Sequence, residues 1–183
     1  MISQESIDQT FSDLRSICGG VRDDYFGLLY LEREHQVPRN KAINQIAFGS
    51  NKHSFDGFHL DAERGNLYIF QFRYAESIAS LEEPCRRLVE IGVEDILQPT
   101  LVDADNKVLL ELRDCLAENW ALIEKLRFRL VFTGNPYEAE CNEALARLRE
   151  KLISKKPFIT KCFSNRRIQM TVDFRSSNWG TYV

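Results

Sequence analysis

Residues Phe55–Tyr74 read FDGFHLDAERGNLYIFQFRY. Two β-rich runs, Phe55–Leu60 and Leu67–Tyr74, flank a turn of charged residues, glycine and asparagine, Asp61-Ala-Glu-Arg-Gly-Asn66. That order predicts an antiparallel hairpin. If Leu60 pairs with Leu67, the register sets Asp56 opposite Gln71, and directly opposed residues share a sheet face with Cβ atoms roughly 5 Å apart. Arg73, two residues on, joins the same face. Tyr68, Phe70, Phe72 and Tyr74 occupy the other face and read as buried packing. A one-residue slip would break the Asp56–Gln71 alignment. A carboxylate, an amide oxygen and a cation on one face are the groups that bind a divalent metal and a phosphate.

The flanking sequence predicts helices on both sides of this hairpin. Ile7, Phe11, Leu14 and Ile17 recur at three and four over residues 4–17, and Gly19-Gly20 ends that helix. A second helix is predicted over Arg22–His35; at about 100° per residue Tyr25, Leu28, Leu29 and Glu32 share one arc. Glu32 is thus a carboxylate in an apolar stripe, whereas Asp24 and Glu34 read as solvated helix charges. A short third helix is predicted from Pro38 to Phe48-Gly49. After the hairpin, Ser80 caps a helix running to Ile91 with Pro84 in its first turn, and another helix spans Asn106–Lys125. Arg127–Thr133 reads as a strand. Asn135-Pro136-Tyr137-Glu138 is a helix start, with the helix continuing to Ser154, and Ile168–Phe174 is the last strand. The expectation is one α/β domain over 1–183 with a mixed central sheet flanked by helices. Its parts are N-terminal helices (1–50), the hairpin (55–74), a helical insertion (80–126) and a strand–helix–strand unit (127–175).

Composition narrows the classes. The chain has 183 residues, 44% of them hydrophobic and 28% charged, enough for a core without disulfides. A net charge of −3 gives no global attraction to nucleic acid, so a DNA contact needs a local basic patch. Lys155-Lys156 with Arg166-Arg167 is a weak candidate for one. MISQESIDQT does not read as a signal peptide, no run is apolar enough to cross a membrane, and five scattered cysteines suggest reduced thiols, together giving a cytoplasmic expectation. His35, His53 and His59 lack zinc-like spacing.

Each candidate also has a plain structural role. Asp56 is equally a solvated strand-end residue, Gln71 a buried amide with structural hydrogen bonds, and Arg73 a snorkelling edge residue. Glu32 is equally the partner of Arg73 in a salt bridge.

GGVRDDYFGLLYLE followed by QIAFGSNKHSFDGFHLDAERGNLYIFQFRY resembles the N-terminal region of the abortive-infection phage-resistance (AIPR) family. LRFRLVFTG and IQMTVDFRSS are similar in order and character to the family's later segments. That region of the family resembles the PD-(D/E)xK restriction-endonuclease fold, with the helical insertion placed between the hairpin and the third strand. The resemblance puts Asp56 at the acidic position, Gln71 at the Glu/Gln position and Arg73 at the lysine position, with Glu32 a candidate for the helix carboxylate. It implies Mg²⁺ (or Mn²⁺) held by Asp56, Gln71 and the Phe72 carbonyl, and a DNA substrate. It also implies a longer protein, of which this chain is an N-terminal part or a short stand-alone version, so further domains or a defence partner are expected. Arg73 departs from the pattern, because arginine stabilises phosphate charge but does not give up its proton. Three readings stay open: a metal-dependent nuclease in phage defence, a degenerate nuclease fold that binds nucleic acid or a protein partner without cleaving, and a structural interaction domain.

Overall fold

The hairpin forms in the predicted register. In the computed structural model, which describes residues 2–49, 55–97 and 106–178, β1 (Gly57–Asp61) runs antiparallel to β2 (Asn66–Phe72) with Leu60 opposite Leu67. Gly65 takes φ 61° in the turn, a left-handed conformation that a residue without Cβ adopts at little cost. Its carbonyl accepts the N–H groups of Glu124 and Lys125, which ties the turn to the start of β3 (Lys125–Phe132). β2 and β3 are parallel, as are β3 and β4 (Gln169–Ser176), so the sheet is mixed, with order β1-β2-β3-β4.

Parallel neighbours need crossovers. Between β2 and β3 the chain forms α4 (Glu82–Arg87), a π turn (Leu88–Gly92), α5 (Val93–Leu97) and α6 (Lys107–Asn119). Between β3 and β4 it forms α7 (Pro136–Cys141), α8 (Glu143–Ser154) and α9 (Lys156–Cys162). Both crossovers pack on the face carrying Leu67, Ile69, Leu126, Phe128, Leu130, Val172 and Phe174. Before the hairpin come α1 (Gln4–Cys18), α2 (Arg22–Glu34) and α3 (Arg39–Ala42), and these build a second core on the opposite face with Tyr68, Phe70, Phe72 and Val131. The fold is α/β with a four-stranded mixed sheet flanked by helices.

Several boundaries differ from the sequence expectation. The third helix stops at a 3-10 turn, Ile43–Gln45, because Ile46 turns extended and bridges Gly57. Ser80 sits inside a 3-10 turn, Ile78–Leu81, and its hydroxyl donates to the Ser77 carbonyl instead of capping a helix. Asn106 lies just outside α6 and caps it by accepting the Leu109 N–H. The expected helix over 135–154 is two helices: Asn142 is extended, and its side chain accepts the Leu145 N–H as a fresh cap. Ile17, expected on the apolar face, is 80% exposed. His53 and the tail beyond Asn178 lie outside the described residues.

α2 lies directly on β2 because Gly27 lacks a side chain. A Cβ there would sit 2.6 Å from a ring carbon of Phe72, while Phe26 meets the same ring edge-on at 6.1 Å. In an exposed helix, Gly→Ala stabilises by roughly 0.5–1 kcal/mol. At Gly27 the clash reverses the sign, and overpacking of this kind costs about 1–3 kcal/mol. Gly27→Ala is therefore expected to lower the urea midpoint with an unchanged m-value; a raised midpoint would remove the close-approach argument.

A carboxylate-capped strand end

β2 outlasts its antiparallel partner. The ladder with β1 ends at Gly57 opposite Phe70, while β2 runs on to Phe72. On the β1 side, two N–H groups then lack strand acceptors, and two carboxylates take them. Phe72 N–H donates to Asp56 Oδ2 at 2.8 Å, and Tyr74 N–H donates to Asp23 Oδ1 at 3.2 Å. Between them Arg73 N–H turns the other way, to the Val131 carbonyl at 2.9 Å.

The Asp56 backbone is held on both sides: its N–H donates to the Phe70 carbonyl and its carbonyl accepts the Ala47 N–H. Asp56 is 2% exposed. A buried carboxylate needs a counter-charge, and Arg73 supplies it, with Nη1 3.0 Å from Asp56 Oδ2. The same Nη1 donates to the Phe72 carbonyl at 2.5 Å. One guanidinium nitrogen therefore sits on two of the three oxygens that the family resemblance assigns to a metal.

The ladder stops one residue short of the expected Asp56–Gln71 pair. β1 pairs only from Gly57 onward, and Asp56 turns its side chain along the edge of β2. Gln71, 1% exposed, stands on the crossover-helix face with Ile69, beside Leu130 of β3. Glu32 is not the partner of Arg73: Arg39 binds it at both oxygens, at 2.5 and 2.9 Å. The carboxylate that α2 brings to this strand end is Asp23, from its first turn. Asp24, expected to be solvated, is 2% exposed, and its Oδ2 accepts the N–H groups of Val21 and Gly49. Paired acids at a helix start are favoured by the helix dipole alone, so nothing in the sequence marked this pair as tertiary. Of the weak basic patch, Lys155 is held by Glu94 and Arg166 donates to the Trp120 and Ile123 carbonyls, while Lys156 and Arg167 are exposed.

Carboxylate, amide and backbone oxygens are the right donor type for Mg²⁺ or Mn²⁺. Their charge and occupancy are not. Asp56 supplies the single negative charge of the assigned set, Arg73 neutralises it from the position the cation would take, and Glu32 is engaged elsewhere. Among the described residues no group of three His, Cys, Asp or Glu is placed to hold a metal ion. The residues present do not fit a resident divalent cation. Comparison of the chain with protein-family models, curated proteins and solved structures gave no match. No described helix is long and apolar enough to cross a membrane.

A second polar cluster lies at the other end of the hairpin. The His35 and His59 rings meet at a tilt, centroids 4.8 Å apart, beside Tyr68, on a cavity of about 400 Å³ that Asp61 and Arg64 also line. Neither His35 Nε2 nor His59 Nδ1 has a hydrogen-bond partner among the described residues. Burial, helped by His59 and Arg129, pushes the His35 imidazole down to about 4 against the pull of Asp61; burial also lowers His59.

Both clusters have measurable consequences for stability. Asp56→Asn leaves the Arg73 guanidinium mostly buried without its anion, which costs about 3 kcal/mol, near the low end for a broken buried pair because Arg73 keeps some solvent contact. Chemical denaturation measures it, and a loss below about 0.5 kcal/mol would mean a solvated pair. For His35 the folded pKa lies below the unfolded value of 6.5, so the unfolded chain takes up a proton first as pH falls. Its contribution is complete above pH 6.5 and is lost on the way down to pH 4. A His35→Phe variant should show a flatter fall of Tm than the parent across that window, and parallel curves would refute it.

Proposed function

We propose that this chain is a nuclease-like domain of a phage-defence (abortive infection) protein that binds nucleic acid without cleaving it. The observation that carries this reading is the position of Arg73 Nη1, shared between Asp56 Oδ2 and the Phe72 carbonyl. The resemblance of the hairpin to the acidic, then Gln-x-basic strand pattern supports a restriction-endonuclease-like ancestry. A mixed sheet with the antiparallel hairpin first and a helical insertion before the third strand is compatible with it.

The chemistry of the corner favours holding over cutting. Arginine stays protonated in proteins, so Arg73 does not act as a base toward water. A guanidinium fixed on a carboxylate keeps donors suited to phosphate oxygens, and charge-assisted bonds of that kind are roughly twice as strong as neutral ones. Mg²⁺-dependent hydrolysis of DNA is the competing reading. What favours it is the resemblance of Asp56 and Gln71 to the acidic and Glu/Gln positions of the nuclease pattern.

Incubation of plasmid DNA and of RNA with the protein and Mg²⁺ or Mn²⁺ separates the two. The expected result is no product with either metal, alongside binding that weakens steeply with salt. Cleavage that disappears in a folded Asp56→Asn variant would overturn the proposal in favour of the nuclease. Absence of binding even at low salt would leave only a protein-interaction role.

A further inference from the structure

The alternation of β3 places Lys125, Arg127 and Arg129 on one face of the sheet, together with Val131 of the second core. The β3–β4 register sets Thr171 beside Arg127, Asp173 beside Arg129 and Arg175 beside Val131. This is the face that α1 and α2 cover over β2. Tyr30 of α2 packs on Phe70 and Phe72, near enough to Arg129 for that charge to act on its hydroxyl. Past Arg129 the face opens: Arg175 is exposed, and Lys125, Arg127 and Thr171 are half-buried.

The charge of this open half is opposite to that of the chain. Arg129 and Asp173 cancel through a two-point pair, with Nε to Oδ1 at 3.0 Å and Nη2 to Oδ2 at 2.7 Å. Lys125, Arg127 and Arg175 remain, and among the described residues none of the three is ion-paired with a carboxylate. Arg127 is nevertheless held in place: its Nε donates to Asn66 Oδ1 at 3.2 Å, and its guanidinium lies over the Tyr68 ring at 5.8 Å. Arg129 covers the same ring at 4.8 Å. A cation ordered in advance loses less side-chain freedom when it meets a ligand. In a chain of net charge −3, three unneutralised cations on one flat strand surface form a local positive field of the kind that attracts a polyanion.

We infer that the open β3–β4 face is a docking surface for the phosphate backbone of a nucleic acid. From the level of Lys125 to that of Arg175 is six residue steps, about 20 Å at 3.3 Å per residue. That matches about six base steps of 3.4 Å along one strand. Arg175 lies level with Val131, whose carbonyl holds the Arg73 N–H, so the cationic track ends on β4 at the level of the capped corner, two strands away. The inference rests on the nucleic-acid reading proposed for the chain and specifies where the backbone lies.

Fluorescence anisotropy with labelled duplex DNA, single-stranded DNA and duplex RNA, across a salt series, tests it in the full chain. The variant is Arg127→Glu with Arg175→Glu. The control, Arg86→Glu with Arg87→Glu on α4, makes the same charge change on the crossover side. The track predicts at least a tenfold loss of affinity in the first variant and less than threefold in the control. The salt slope on duplex DNA should fall by about 1.8, two contacts at about 0.9 each. Arg127→Gln with Arg175→Gln, milder at the Tyr68 contact, should give the same fall in slope. Equal losses in variant and control, or an unchanged slope in both track variants, would overturn the surface while leaving nucleic-acid binding intact. Failure of the parent to bind any of the three probes would overturn the functional reading itself. The relative affinities of the three probes identify which nucleic acid the surface takes.

Discussion

A strand that runs past its partner leaves donors behind, and much of the candidate site arises from that one constraint. Buried backbone N–H groups must find acceptors. Beyond Gly57, β1 no longer supplies them to β2, so Asp56 and Asp23 do, at Phe72 and Tyr74. Bringing Asp56 into the interior in turn requires a cation, and Arg73 is the residue whose side chain reaches it. The polar residues that stand out in the hairpin are thus first a solution to a hydrogen-bonding problem. Any chemistry they perform is built on side chains already committed to holding the end of a strand.

What could be read from the sequence was what local chemistry decides. The Leu60–Leu67 register follows from turn residues and alternation, and the apolar face Tyr68, Phe70, Phe72 follows from period two. Asn135-Pro136 marks a helix start because cap and first-turn preferences need no tertiary information. Glu32 shows the limit. Period places it on the apolar stripe of α2, but it stands half-buried at the end of that stripe, where Arg39, seven residues later, binds it. Asp23 and Asp24 were obscured by a second adequate explanation, the helix dipole. KPFITKC, which forms α9, is too short to show a helical period.

The alternation in KLRFRLVF separates two environments. Its even positions are apolar and its odd positions begin with three cations, so the strand announces one dry face and one wet one. Topology explains why this asymmetry survives folding. Both crossovers lie on the same face of the sheet, and on the other the N-terminal helices build their core on Tyr68, Phe70, Phe72 and Val131. An outer half-sheet without a helical cover must be polar to stay solvated. It need not be predominantly cationic, and that excess is the part solvation does not explain.

Arginine at position 73 connects the strand end with the open face. A lysine there would present a compact ammonium that loses its proton more readily when buried, whereas guanidinium keeps its charge and spreads its donors in a plane. The first property suits proton transfer, the second permanent neutralisation of Asp56 with donors left over for an anion. The cations of the open face, Arg127 and Arg175, are guanidinium groups as well, with Lys125 at the far end. The strand end and the exposed face therefore favour the same interaction, fixed positive charge presented to phosphate oxygens. That shared preference is why binding accounts for more of this chain's polar architecture than cleavage does.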